Sequence, residues 1–289
     1  MKNGRIIKLT GGLYTVMNEE DQITTNMKAR GLFRHTNESP KVGDFVTYDD
    51  SFIMTIKERE NSLLRPPIAN VDQAILIQSA KAPDFQFTLL DQFLLLIEHE
   101  DIVPVIVVNK IDLLTDEELA KLKKEMTYYE SFYDVFYVSA KKQIGLKALP
   151  TIFRNKVNVF AGQTGAGKSS ILNALDTALN IKTNEISKAL GRGKHTTRHT
   201  ELIPLFGGLI ADTPGFSKLD FSHINEDEVA HCFVDFFDLS SACKFRECKH
   251  INEPKCAVKE ELKNGNILPS RYEDYLYIMN IVKENKNKR

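Results

Sequence analysis

Eight residues, Gly162-Gln163-Thr164-Gly165-Ala166-Gly167-Lys168-Ser169, carry the plainest chemistry in the chain. They match G-x-x-x-x-G-K-[ST] in full. An apolar run from Val157 to Phe160 precedes them, and helix-spaced Ile171, Leu172, Leu175 and Leu179 follow. A strand, a glycine loop and a helix in that order turn backbone N–H groups and the positive end of the helix toward an anion. Lys168 can reach the β and γ phosphates of a nucleoside triphosphate. Ser169 can ligate Mg²⁺, and Ser170 beside it is counted with the nucleotide-binding residues.

A second group selects the base. Asn109-Lys110-Ile111-Asp112 follows the apolar run Val103 to Val108, where an α/β site has its loops. The Asp112 carboxylate can accept from the N1 and exocyclic amino groups of guanine, whereas adenine offers an acceptor at N1 and no amino group there. Asn109 can bridge the base to neighbouring loops, and the Lys110 stem can cover the ring. Ser139-Ala140-Lys141, after the strand-like Asp134 to Val138, can present backbone N–H groups to the guanine oxygen.

Downstream lie the groups that would sense the γ phosphate. Asp212-Thr213-Pro214-Gly215 fits D-x-x-G: Asp212 can hold Mg²⁺ through water, and Gly215 can meet the γ phosphate with its N–H. The basic stretch Ile186 to Thr200 includes Lys188, Arg192, Lys194 and Arg198. Within it, Thr196 or Thr197 can supply a second protein oxygen to Mg²⁺. Phe216 occupies the position after D-x-x-G and has neither donor nor acceptor for positioning water. Slow intrinsic turnover follows.

Near the C-terminus, Cys243, Cys248, His250 and Cys256 place four soft ligands within fourteen residues. They suit a tetrahedral Cys₃His zinc site with no open position, hence a structural one. A disulfide scaffold is disfavoured by four cysteines in 289 residues and by the histidine inside the cluster.

The elements that must position these groups are legible from periodicity. With 289 residues, 42% of them apolar, the chain can form two or three domains with sizeable cores. Lys plus Arg number 38 and Asp plus Glu 39, so any nucleic-acid surface must be a local patch. No apolar run reaches the ~20 residues of a membrane span, and nothing resembles a signal peptide. A reduced, cytoplasmic protein is expected.

Residues 1–66 read as short strands separated by Gly and Asp turns, a small OB-like β-barrel of the kind that contacts RNA. Arg30, Arg34 and His35 form its local basic patch, and Arg65-Pro66-Pro67 marks a boundary. Residues 67–220 alternate strand and helix, predicting a mostly parallel sheet covered by helices. There Thr115 and Glu118 form a capping box for a helix from Asp116, and Asp91 and Glu98 are read as solvated on a helix from Phe85 to His99. Residues 221–289 predict a helical zinc-binding module: a helix from Asn225 to Phe237 with Cys232 in its core face, helices near 258–263 and 272–284, and a basic tail.

The order of the motifs is rotated relative to other GTPases: N-K-x-D and S-A-K come before the phosphate loop, which comes before the threonine loop and D-x-x-G. In this the chain resembles the circularly permuted, ribosome small-subunit-dependent GTPases of the RsgA family, over nearly its whole length. The resemblance implies three parts: an N-terminal OB barrel, a central circularly permuted α/β P-loop GTPase domain and a C-terminal zinc module. It implies a late assembly checkpoint on the 30S ribosomal subunit and its 16S rRNA, converting GTP to GDP and phosphate slowly alone and faster on the particle. It also implies binding of guanosine tetra- and pentaphosphate.

By the same resemblance His195 handles the attacking water, acting with Lys168 and Thr197, and Thr197 fits the Mg²⁺-associated threonine better than Thr196. Cys243, Cys248, His250 and Cys256 coincide with the family's zinc ligands. A monomer is expected. The competing reading is a zinc-containing RNA-binding protein that uses guanine nucleotide mainly as a conformational ligand. An ATPase or nucleotide kinase is disfavoured by Asp112.

Overall fold

The computed structural model describes residues 1–34, 39–63, 66–176, 199–211, 216 and 219–287. It divides into two compact units. The first comprises Met1–Ile75, Ser139–Ala161 and Gly167–Gly215, the second Leu76–Val138, Gly162–Ala166 and Phe216–Arg289.

In the first unit, β1 (Lys2–Thr10), β2 (Leu13–Asn18), β3 (Thr24–Ala29), β4 (Phe45–Tyr48) and β5 (Phe52–Ile56) close into a five-stranded barrel. Closure runs β1–β2–β3–β5–β4–β1, with β3 and β5 parallel and the other pairs antiparallel. Alternation explains the filling: Tyr14, Val16 and Asn18 of β2 point inward while the residues between them are more exposed. Ile6, Val16, Val46 and Ile53 are fully buried at its centre. Asn18 is the polar exception, and its amide donates to the Tyr48 hydroxyl at 2.8 Å. Gly31–Arg34 is a short 3₁₀ turn; His35 lies outside the described residues.

The same unit contains β9 (Val157–Ala161), β10 (His199–Leu205) and β11 (Gly208–Ala211), with the short α3 (Leu149–Ile152) and α4 (Lys168–Leu175). β1 also pairs with β10 through Lys8↔Glu201, where the two side chains form a 2.9 Å ion pair. β10 and β11 are antiparallel, and β11 runs parallel to β9. Asn158, buried in β9, is satisfied by donating to the carbonyls of Phe153, Lys156 and Leu209 and accepting from Gln73.

β6 (Gln73–Ser79) begins in the first unit and ends in the second, which continues with β7 (Val103–Asn109) and β8 (Asp134–Tyr137). β6 is buried throughout, and β7 is buried beyond its first residue, the signature of strands covered on both faces. β7 and β8 are parallel. The helices of this unit are α1 (Phe87–His99), α2 (Asp116–Glu130), α5 (Glu226–Val229), α6 (Val234–Ser240), α7 (Ala257–Asn264) and α8 (Pro269–Asn287). The capping box at α2 forms as its spacing predicts: Glu118 N–H donates to Thr115 Oγ1 at 3.2 Å, and Thr115 N–H to the Glu118 carboxylate at 2.8 Å.

Three expectations need correction. The helix read from Asn225 to Phe237 is two pieces, α5 and α6, separated at Ala230–Phe233 so that Cys232 and Phe233 both turn into the core. Asp91 is fully buried in α1, its Oδ1 accepting from Arg271 Nη1 at 2.6 Å, and Glu98 is half-buried. Arg271, from α8, also donates to both oxygens of Asp235 in α6, at 3.1 and 3.3 Å, and its guanidinium lies 4.2 Å over the Phe233 ring. The C-terminal segment therefore has a real core, with Phe233, Phe236, Tyr275, Ile278 and Met279 fully buried. Among the described residues no helix is long and apolar enough to cross a membrane.

Candidate functional site

The chain leaves β9 at Ala161, turns through Gly162–Gly167 and enters α4 at Lys168. Gly162 has φ +112°, and a Cβ there would lie 2.1 Å from the Ile77 carbonyl oxygen, so only glycine permits the turn against β6. Its N–H donates to the Phe216 carbonyl at 3.3 Å. Phe216 itself is 8% exposed, a ring turned into packing rather than toward water. Gln163 and Ala166 close a turn, Ala166 N–H donating to the Gln163 carbonyl at 3.3 Å, while Thr164 and Gly165 are exposed at its tip.

Within the second unit the base motif grips this loop. Asn109, the last residue of β7 and 1% exposed, donates through Nδ2 to the Ala166 carbonyl at 3.0 Å. Lys110 sits in the left-handed region at φ 65°, and its ammonium donates to the Gly165 carbonyl at 2.7 Å and to the Ala82 carbonyl. Lys110 thus does more than offer a stem to a ring: it pins the loop tip, a role the sequence did not reveal. Asp112 lies in the 3₁₀ turn Ile111–Leu113, partly exposed.

In the first unit Gly167, at φ +97°, is the N-cap of α4 and hands its first turn to Lys168, Ser169 and Ser170. Ser169 is buried. Burial pushes the Lys168 ammonium down to about 8, and an anion beside it would favour the charged form. Ser139 is buried after β8. Its Oγ accepts from Lys142 N–H at 3.0 Å, and it bridges Ile144 through the backbone, so Ala140 and Lys141 sit in a closed turn. His195, Thr196, Thr197, Asp212 and Gly215 lie outside the described residues.

The metal-ligand set assembles in the second unit. One donor atom from each of Cys243, Cys248, His250 and Cys256 lies within 4.8 Å of the others. His250 Nδ1 is 3.6 Å from Cys243 Sγ and 3.3 Å from Cys256 Sγ. Bonds of ~2.0–2.3 Å to a tetrahedral zinc put donor pairs about 3.5–3.8 Å apart, so the residues fit the ion. The opposite ring nitrogen, Nε2, faces Ser240 Oγ at 3.4 Å, and that hydroxyl spends its own proton on the Phe236 carbonyl at 2.7 Å. Ser240 therefore accepts from Nε2–H and leaves the Nδ1 lone pair for the metal.

The backbone between the ligands is fastened as well. Glu253 accepts from the N–H groups of Lys249, Ile251 and Asn252 at 2.9, 2.9 and 3.0 Å. Tyr272 and Tyr275 donate to the carbonyls of His250 and Lys249 at 2.6 and 2.5 Å. Burial, with neighbouring sulfurs adding to it, pushes the Cys248 thiol up to about 12. A dication among these sulfurs would favour their thiolate form.

The chain matches known proteins over nearly its whole length. The model of the RsgA GTPase family matches residues 56–222, and that of the RsgA N-terminal domain matches residues 3–51. The chain is 48% identical over 293 residues to the small ribosomal subunit biogenesis GTPase RsgA of Bacillus velezensis, covering 99% of each chain. It is 49% identical over 295 residues to the protein of that name from Halalkalibacterium halodurans, covering 100% of each. Among solved structures it is similar to YloQ, described as a circularly permuted GTPase, with TM-score 0.84 and 41% identity over 98% of this chain and 96% of that one. YjeQ from Thermotoga maritima matches with TM-score 0.85 and 34% identity over 97% and 98% of the two chains.

Proposed function

The chain belongs to the RsgA GTPase family, and on that premise we propose that it is a GTP hydrolase acting as a late checkpoint in assembly of the small (30S) ribosomal subunit. The observation that carries the nucleotide reading is the grip of Asn109 and Lys110 on the carbonyls of Ala166 and Gly165, which fastens a guanine motif to a phosphate loop in a permuted chain.

In this reading Asp112 accepts from guanine, and Ser139-Ala140-Lys141 meet its oxygen. The Gly162–Ser170 segment cradles the phosphates, with Lys168 neutralising the charge that develops during transfer. Mg²⁺ would be held by Ser169, Thr197 and Asp212, and it supplies charge stabilisation at the β and γ oxygens when bound. With Phe216 buried, His195 is the group that orients the attacking water, and contact with the 30S particle brings it into place.

The zinc module and the barrel form the ribosome-facing parts, with boundaries at 1–66, 67–220 and 221–289. Zinc in the Cys₃His site holds the module's fold. The protein acts as a cytoplasmic monomer, and guanosine tetra- and pentaphosphate compete at the same nucleotide site.

Steady-state hydrolysis tests the reading. Purified 30S subunits should raise turnover at least ~10-fold over the protein alone, and 50S subunits should do little, as expected when a partner completes a phosphoryl-transfer site. His195→Ala should keep GTP and 30S binding but lose the stimulation. Binding to 30S with no change in turnover would sink the hydrolytic checkpoint and favour an RNA-binding protein for which nucleotide is only a conformational ligand.

A further inference from the structure

At the C-terminal end of α1, remote in sequence from the Cys₃His set, His99, Glu100 and His223 converge so that one donor atom of each lies within 4.8 Å of the others. Glu100 Oε1 is 3.7 Å from His99 Nδ1 and 3.5 Å from His223 Nε2. The two imidazole rings meet edge to face with centroids 5.2 Å apart. A fourth residue completes the pattern. His99 Nε2 faces the carboxylate of Glu228 at 3.4 Å, and a carboxylate held ionised can only accept. Glu228 Oε2 also accepts from Asn225 N–H at 2.7 Å and from the Asn225 side-chain amide at 3.2 Å.

With Nε2–H donated to Glu228, Nδ1 is the ring position left to meet a cation. That Nδ1 atom is sealed from solvent and has no hydrogen-bond partner. A carboxylate behind one ring nitrogen, with the other ring nitrogen beside a second carboxylate, is the pattern by which proteins orient a histidine toward a metal.

We propose that His99, Glu100 and His223 bind a divalent late first-row transition ion of the zinc class. Two imidazoles and a carboxylate are borderline donors that favour such an ion over Mg²⁺ or Ca²⁺. Bonds of ~2.0–2.2 Å would bring the donor atoms about 3.3–3.5 Å apart, within a few tenths of an ångström of the two Glu100 contacts, with the two ring nitrogens, now within 4.8 Å, drawn in to match. Three protein ligands leave a position for water. The ion would clip the end of α1 to the segment that leads into α5.

The test uses full-length, untagged protein with its Cys₃His site filled with zinc, titrated with Co²⁺ at neutral pH. One further equivalent should bind with weak visible d–d absorption and none of the intense near-ultraviolet bands of cobalt thiolate. His223→Ala, at an exposed residue, should weaken that uptake at least ~10-fold, and Glu228→Gln should do so by roughly 10–100-fold, through loss of the charge that orients His99. Both variants should keep the zinc already bound, with unchanged far-ultraviolet circular dichroism. No cobalt uptake by the zinc-loaded protein would overturn the proposal and leave the trio as an ion-paired cluster. Equal uptake by wild type and His223→Ala would overturn it too, placing the ion elsewhere.

Discussion

The Asn109 side-chain amide donates to the Ala166 carbonyl at 3.0 Å across 57 residues of chain, and both groups are buried. A residue of the base motif therefore shapes the phosphate loop whether or not a base is present. Asn109→Ala should cost about 1–3 kcal/mol, the range for stranding a buried acceptor, and should lower affinity for GTP and GDP together. Asp112→Asn should instead erode the preference for guanine over adenine nucleotides. Fluorescent-nucleotide titrations of both variants check this; an Asn109→Ala variant that loses only base selectivity would contradict the loop-shaping role.

Gly162→Ala meets two obstacles at once, a φ of +112° and a Cβ 2.1 Å from the Ile77 carbonyl oxygen. Relief requires Gly162 to draw away from the Ile77 backbone, so the variant should lose about 2–4 kcal/mol of stability and measurable nucleotide binding. Urea denaturation and a binding assay read the two losses. Near-normal binding would mean the loop adapts more easily than its packing against backbone allows.

Lys168 carries a pH signature. Burial holds its ammonium down to about 8 in the free protein, and a bound phosphate raises it again by favouring the charged form. The bound state then holds more protons than the free state above pH 8, so affinity is level below that pH and falls by up to ~10-fold per unit above it. Calorimetry of GDP binding at pH 8.5 in two buffers of different ionisation enthalpy should show net proton uptake. Proton release or no exchange would be incompatible with a desolvated Lys168.

Arg271 is 2% exposed and bonded to Asp91 and Asp235. Burial pushes Asp91 up to about 7 even against the pull of the guanidinium. Arg271→Met would leave Asp91 without its hydrogen-bond donor and Asp235 with only the Tyr128 hydroxyl, and should destabilise by about 3–5 kcal/mol. Asp91→Asn, which keeps an acceptor, should cost less. Denaturation at pH 7.5 tests the order; equal and small losses would show that the cluster is dispensable for stability.

Ser240→Ala removes the acceptor for His250 Nε2–H without touching a member of the Cys₃His set. Zinc affinity should drop by roughly 10–100-fold, measured by competition with a chromophoric chelator, while the fold in saturating zinc stays unchanged. An unaltered affinity would leave the histidine tautomer fixed by the backbone alone.

The sequence by itself determined what depends on neighbours in the chain. Gly162 to Ser169, Asn109 to Asp112 and the Thr115–Glu118 capping box are local: spacing sets which backbone groups point inward, and the structure forms those turns where the spacing puts them. The Cys₃His set spans fourteen residues and was legible for the same reason. The barrel was legible from alternation and turn residues, but its closure through the parallel β3–β5 pair was not.

Tertiary structure decided everything that depends on distant partners. Asp91 looks like any polar position on an amphipathic helix until Arg271, 180 residues later, is packed against it. The Lys110 ammonium is free in sequence and becomes a clamp only when the Gly165 carbonyl is brought to 2.7 Å. His99, Glu100 and His223 have no motif spacing at all. Desolvation and the alignment of donors arise from the whole packed surface around a group, and a string of residue types carries that information only where the surface is built from its immediate neighbours.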